Sequence, residues 1–280
     1  MMDFSFADDF ITGALSEDIG TGDVTTNACI PADAVSTGKF IAKEPGVICG
    51  VGVVLRVFAL LDKHVKIDPC VDDGDAVEPG DVIATITGPS RSILTGERTA
   101  LNLLQYLSGV ATKTAEAVKH VAGTNAQITD TRKVLPGLRA LSKYAVRCGG
   151  GSNHRFNLSD GVLIKDNHIM AAGSIAGAVR LARNGAPHTL KIEVETENLD
   201  QVAEALSAGA DVIMLDNMPP ETMAEAVKII AGRALTEASG NMGQRDLRTV
   251  AQTGVDFISI GALTHSPKAL DISLRFGQTL

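Results

Sequence analysis

The sequence predicts a mixed α/β protein in two parts. An N-terminal α+β domain spans residues 1–105. An incomplete, seven-stranded βα barrel of TIM type follows over residues 106–280, its last helix placed to pack back on the first domain. Three observations lead there. Short apolar runs alternate with amphipathic stretches through the second half. Polar groups stand just after nearly every one of those runs. The first hundred residues have another rhythm, strands separated by turn-rich pieces such as Glu44-Pro45-Gly46 and Glu78-Pro79-Gly80-Asp81.

Taken in order, Asp3–Leu15 and Gly52–Leu61 read as helices, and Ser36–Ala42, Val65–Val71 and Val82–Thr87 as strands. The Gly74-Asp75, Gly80-Asp81 and Gly88 spacing is like that of biotinyl or lipoyl carriers. Such carriers need a lysine at a hairpin tip, and no lysine lies between Lys66 and Arg91. A helix over Glu97–Leu107 joins the parts, with Ala100, Leu103, Leu104 and Leu107 as its apolar stripe. Arg98 lies roughly opposite that stripe, where a solvated arginine is the default. Seven runs then read as strands: Ala126–Thr129, Tyr144–Arg147, Gly161–Ile164, Leu190–Val194, Asp211–Leu215, Ala234–Glu237 and Phe257–Ile260. Between the later ones, Leu199–Ala208 and Pro220–Ile230 carry helical stripes. Polar strand ends converge on one face of a barrel, whereas an open sheet gathers ligand groups mainly at one switch point. The barrel accounts better for the pattern.

With 280 residues, 45% hydrophobic and 21% charged, the chain has the makings of a substantial core, which excludes a disordered protein. A formal charge of -8 argues against nucleic-acid binding or an anionic membrane surface. The acidic start lacks a secretory leader's basic and apolar regions, and no apolar run approaches a membrane span. Cys29, Cys49, Cys70 and Cys148 are scattered without zinc or redox spacing, which fits a reducing cytoplasm.

The charge is unevenly spread. From Arg98 to Lys165 ten cations face three acids, a local +7 that leaves -15 on the rest. Two like charges 4 Å apart cost roughly 4 kcal/mol at an effective dielectric of about 20, so cations gathered in a cleft imply an anion. Lys113, Lys119 and Lys143 read as solvated, snorkelling side chains. Context reverses that reading for Arg132, Lys133, Arg155 and Lys165. Arg132-Lys133 follows a buried run and pairs a bidentate fork with a point charge. Gly149-Gly150-Gly151 is by itself a turn signal. Running into His154-Arg155 within the basic window, it reads as an oxyanion cradle. Glu195 and Asp216 end consecutive strands. They suit Mg²⁺, ribose hydroxyls or a cationic transition state, or else serve as ion-pair partners of Lys133 or Lys165. Ser239-Gly240-Asn241 and Ile260-Gly261-Ala262 match a phosphate seat after the last strands. The set suits a phosphorylated sugar with a polyanionic co-substrate.

Glu97-Arg98-Thr99-Ala100-Leu101-Asn102, Asp130-Thr131-Arg132-Lys133 with Pro136-Gly137, Gly149-Gly150-Gly151 with His154-Arg155, Lys165-Asp166-Asn167-His168, Glu193-Val194-Glu195 and Leu215-Asp216-Asn217 together resemble quinolinate phosphoribosyltransferase. Ser239-Gly240-Asn241 and the stretch from Gly254 to Thr264 extend the likeness over nearly the whole chain. Val134-Leu135 departs from it where threonines are expected, which bears on the shape of that loop. The resemblance implies that quinolinate and phosphoribosyl pyrophosphate give nicotinate mononucleotide, pyrophosphate and CO₂ with Mg²⁺. It implies Lys133, Lys165, Glu195 and Asp216 as catalytic residues, with Glu195 and Asp216 also on the metal. Substrate contacts would add Arg98, Thr131, Arg132, His154, Arg155 and the two phosphate loops. It further implies a homodimer, or a higher oligomer built on it, with Arg98 supplied across the interface. A paralogous protein associated with molybdenum transport and a non-catalytic barrel binding a phosphometabolite are the competing readings. The intact Lys165–His168 and His154-Arg155 motifs favour the quinolinate enzyme.

Overall fold

A computed structural model describes residues 3–277, and the chain divides into two compact units. Among the described residues, the first unit comprises residues 3–115, Arg147–Gly150 and residues 267–277. It begins with helices α1 (Asp8–Ile19) and α2 (Val24–Cys29). Strands β1 (Val35–Ala42) and β2 (Gly46–Val47), helix α3 (Val51–Leu61), and strands β3 (Lys66–Pro69), β4 (Ala76–Val77) and β5 (Val82–Pro89) follow. Asp23 caps α2 by accepting from the Thr26 backbone N–H at 2.9 Å. Helix α3 buries Val51, Val53, Val54, Val57 and Phe58, so its valine-rich sequence is helical because packing overrides propensity. Helix α4 runs over Ser90–Val121, far beyond the expected Glu97–Leu107.

The second unit, residues 116–146 and 151–266, is the barrel. It alternates β6 (Gln127–Thr129), α5 (Arg139–Cys148), β7 (Val162–Ile164), α6 (Asp166–Ala172), α7 (Ile175–Gly185), β8 (Ile192–Thr196), α8 (Leu199–Ser207) and β9 (Val212–Asp216). Then come α9 (Pro220–Ile230), β10 (Leu235–Ser239), α10 (Leu247–Ala251), β11 (Phe257–Ser259) and α11 (Ala262–His265). The six strands pair in parallel in the order β6-β11-β10-β9-β8-β7. At the open seam, Thr129 of β6 makes an isolated parallel bridge to Ser152.

The sheet therefore has six strands rather than seven. Tyr144–Arg147, expected as a strand, is part of α5. Leu141, Ala145 and Val146 bury one helical stripe there, and a four-residue window is too short to reveal that period. The chain's final described element is not a helix packed on the first unit. It is strand β12 (Ile272–Phe276), antiparallel to β1 in a first-unit sheet ordered β12-β1-β5-β3. Its short apolar-polar alternation is a half-buried strand's period. No helix among the described residues is long and apolar enough to cross a membrane.

Candidate active site

Register decides which side chains meet inside the second unit. Leu163, Glu193, Val212 and Leu235 form one row across β7 to β10. Glu195, Met214, Glu237 and Phe257 form a row across β8 to β11. Because strand side chains alternate, Glu195 shares a face with Glu193, Asp216 with Met214, and Ser239 with Glu237. A cavity of about 540 Å³ opens where these faces run out at the strands' carboxyl ends. Its lining includes Thr131, Arg132, Lys133, His154, Arg155, Lys165, Glu195, Asp216, Asn217, Ser239, Gly240 and Asn241. One concavity thus gathers most of the residues singled out in the sequence.

Two groups are not part of that lining. Arg98 is exposed on the first-unit stretch of α4 and is not among the cavity's lining residues. Ile260, Gly261 and Ala262 are not among them either. Gly261 instead backs Lys133: a Cβ there would lie 3.2 Å from Lys133 Cδ and 3.3 Å from Thr131 Oγ1. The Thr264 hydroxyl donates to the Lys133 carbonyl at 2.7 Å, and Thr131 Oγ1 accepts from the Lys133 N–H at 3.0 Å. The β11 loop therefore fixes the lysine's backbone. Gly240 sits at φ +91°, and a Cβ there would come within 2.2 Å of Asn217 Oδ1, so only glycine lets these two loops meet.

Beneath the rim, Asp130 ties the 151–155 segment down. Asp130 is fully buried and ion-paired with Lys143 Nζ. It also accepts from the His154 N–H at 2.9 Å and from Asn153 Nδ2 at 2.7 Å. Lys143 donates in addition to the His154 carbonyl at 2.8 Å. Burial raises the Asp130 carboxyl and Lys143 opposes the rise. Lys143, expected to snorkel into solvent, is thus a buried structural cation, because Asp130 would otherwise be an uncompensated charge.

His154 faces inward. Its Nε2 lies 3.0 Å from Glu193 Oε2 and 3.7 Å from Glu237 Oε2, while Nδ1 accepts the Arg155 N–H at 2.7 Å. An accepting Nδ1 leaves the proton on Nε2, where it is donated to Glu193. That tautomer leaves no lone pair for a metal, although these three donors cluster within 4.8 Å. Burial works to lower the His154 pKa, but the two glutamates outweigh it and raise the imidazole overall. Burial and the charge of Glu193 push Glu237 from 4.5 to about 7. Glu193 Oε1 and Glu237 Oε1 are buried without a hydrogen-bond partner among the described residues. So are Nε of Arg132 and Nε of Arg155. Burial and the neighbouring Arg132 depress the Arg155 pKa. Buried guanidinium N–H groups without acceptors are costly, and an anionic ligand would satisfy them.

Known proteins settle the family. The model of the quinolinate phosphoribosyl transferase C-terminal domain matches residues 110–275, and that of the N-terminal domain matches residues 23–108. The chain is a quinolinate phosphoribosyltransferase family member. It is 49% identical over 92% of its length to a probable carboxylating nicotinate-nucleotide pyrophosphorylase of Bacillus subtilis, covering 89% of that protein. It is 46% identical to the Mycobacterium leprae carboxylating nicotinate-nucleotide pyrophosphorylase, over 97% of this chain and 98% of that one. The solved Francisella tularensis nicotinate-nucleotide pyrophosphorylase aligns over 99% of this chain and 98% of its own, with a TM-score of 0.93 and 41% identity.

Within this family member, Glu195 and Asp216 suit Mg²⁺. Both are carboxylates at neighbouring strand ends facing one cavity, a hard oxygen donor pair. Lys165 Nζ is ion-paired with Glu195 Oε2, and Asn217 Nδ2 donates to Asp216 Oδ2 at 2.7 Å. The ion-pair alternative for Glu195 is therefore realised with Lys165. Lys165 remains about half exposed, so water weakens that attraction. Sequence reading missed Glu237 and gave Glu193 no role of its own. The available signal was an acid within an apolar strand run, two positions before a residue already assigned to the rim.

Proposed function

We propose that this chain transfers the phosphoribosyl group of phosphoribosyl pyrophosphate to the quinolinate nitrogen and releases CO₂, yielding nicotinate mononucleotide and pyrophosphate. The observation that carries this reading is one cavity holding Arg132, Lys133, Arg155 and Lys165 beside Glu195 and Asp216, with two buried guanidinium Nε–H groups lacking acceptors. Quinolinate brings two carboxylates, and Arg132 and Arg155 have donors to spare for them. His154, whose Nε2 points at Glu193, supports the Arg155 backbone and the pyridine wall. Lys133 and Lys165 stabilise the charge growing on departing pyrophosphate. As the C1–oxygen bond lengthens, ribose C1 becomes cationic, and Glu195 and Asp216 stabilise it from the strand ends. Mg²⁺ held by the same two carboxylates would neutralise the diphosphate and order the ribose hydroxyls. The 5′-phosphate belongs on Ser239-Gly240-Asn241, whose Gly240 is free of a Cβ. After ribosylation the pyridinium accepts the electron pair left by CO₂, and a proton then replaces the lost carboxyl at that ring carbon.

The reading includes a homodimer in which the exposed Arg98 of one protomer serves its partner's cavity. It also includes a reducing, cytoplasmic setting, in keeping with four cysteines carried as thiols. Incubation with quinolinate, phosphoribosyl pyrophosphate and Mg²⁺ tests the chemistry. Stoichiometric CO₂ and nicotinate mononucleotide are expected; tight substrate binding without turnover would instead indicate a metabolite-binding barrel.

A further inference from the structure

The first unit holds a second reactive cluster that the transfer reaction does not use. Cys49, Asp73 and Cys148 place two sulfurs and a carboxylate oxygen within 4.8 Å of one another. They are 99 residues apart at the extremes, so no local spacing announces them. The fold holds each in place. Cys49 is fully buried; its N–H donates to Ser108 Oγ at 3.0 Å, and that hydroxyl donates back to the Cys49 carbonyl at 3.2 Å. Asp73 Oδ1 accepts the Gly50 and Val51 N–H groups at 2.9 and 3.0 Å, at the start of α3. Its turn is pinned in turn by the Gly74 N–H, which donates to the Ile48 carbonyl at 2.8 Å. On the other side, Gly149 packs so closely on α4 that a Cβ there would meet the Ala111 carbonyl at 2.4 Å. Gly74 lies against the Cys148 carbonyl. Cys148 is half-buried, whereas Cys49 is fully buried.

We propose that Cys49 and Cys148 are a dithiol that a small disulfide, such as oxidised glutathione, converts to an intrachain disulfide. The two sulfurs have unequal parts. Burial pushes the Cys49 thiol well up, and the charges of Cys148 and Asp73 push it further, so Cys49 is a poor first nucleophile. Cys148 attacks as thiolate: a bond forms between its sulfur and one glutathione sulfur, and the second glutathione leaves as a thiolate. Cys49 then attacks the Cys148 sulfur and expels the remaining glutathione, whose thiolate takes up the Cys49 proton. The dithiol loses two electrons and two protons, and the small disulfide is reduced to two thiols. The bond closes a loop of about a hundred residues, so it constrains the unfolded chain strongly.

The test is oxidation of the folded, full-length protein with oxidised glutathione, trapping with iodoacetamide, and peptide mapping. The expected product is a Cys49–Cys148 cross-link in a species that stays one chain on a non-reducing gel, melts higher than the reduced form and reverts with dithiothreitol. Cys49→Ser is expected to arrest at a glutathione adduct on Cys148, and Cys148→Ser to leave Cys49 unmodified. The exposed Cys29 and Cys70 act as internal controls in the same digest. Adducts on Cys29 or Cys70, with Cys49 and Cys148 alkylated only after unfolding, would overturn the proposal. So would a cross-link joining two chains.

Discussion

Glu237 offers a direct measurement of what the barrel interior does to a buried charge. Its carboxyl is about 5% exposed, shares its row with Met214 and Phe257 and lies beside Glu193; burial first, and the Glu193 charge second, raise its pKa from 4.5 to about 7. The unfolded chain loses this proton near 4.5, while the folded chain keeps it until about 7. Across that window the native state binds more protons than the unfolded state, so stability falls as pH rises. A shift from 4.5 to about 7, at 1.36 kcal/mol per pKa step, makes the full loss about 3 kcal/mol, complete once the pH exceeds the native value. Glu237→Gln keeps the shape, stays neutral, and can donate an amide N–H towards Glu193 Oε1, which has no partner among the described residues. The two proteins are therefore expected to be nearly equal in stability below about pH 4.5, with the variant ahead by about 3 kcal/mol at about pH 8. His154 has a raised pKa, so its own contribution is present at low pH and is lost as pH rises through the native value. In the variant that slope is shallower rather than absent, because Glu193 still raises the imidazole while the Glu237 charge that also raises it is gone. Isothermal urea unfolding at a series of pH values reads the difference. Parallel slopes for the two proteins, or a variant less stable at alkaline pH, would refute the assignment of a proton to Glu237.

Lys133→Ala is expected to leave the circular dichroism spectrum and melting midpoint intact while lowering kcat by about two orders of magnitude or more, as loss of a charge that acts on the leaving group should; wild-type turnover would count against the assignment. Asp130→Ala strands the buried Lys143 and frees Asn153 and the His154 N–H, so a destabilisation of about 3–5 kcal/mol in chemical denaturation is expected. Mixing inactive Arg98→Ala with inactive Lys133→Ala subunits is expected to restore part of the activity through hybrid dimers. Verified hybrids that remain inactive would remove Arg98 from the partner's site.

Much of the site was legible because parallel strands write their function at their ends. Lys165, Glu195, Asp216 and Ser239 each follow an apolar run by a residue or so, and the barrel needed only to close for them to share a cavity. The N-terminal α+β unit was legible from its turns. Local signals are ambiguous where a short apolar window fits either a strand or a helix. Tyr144–Arg147 is apolar enough for a strand, yet it joined α5 because Leu141, Ala145 and Val146 found a common face to bury. Lys143 looked like any surface lysine until Asp130, thirteen residues earlier, required a buried partner.

The order of cations, acids and glycines along the chain determined that an anion-binding site gathers at the carboxyl end of the barrel strands, because that follows from residue type and strand periodicity, while the family came from the likeness of whole motifs. The three-dimensional packing decided what periodicity cannot encode. It turned His154 inward onto Glu193 and Glu237, set Gly261 behind Lys133, returned the chain's final strand to β1, and brought Cys49 beside Cys148. Each of these depends on a contact between residues far apart in sequence. Such contacts are chosen by the joint burial of whole elements, and no short window of sequence carries that information.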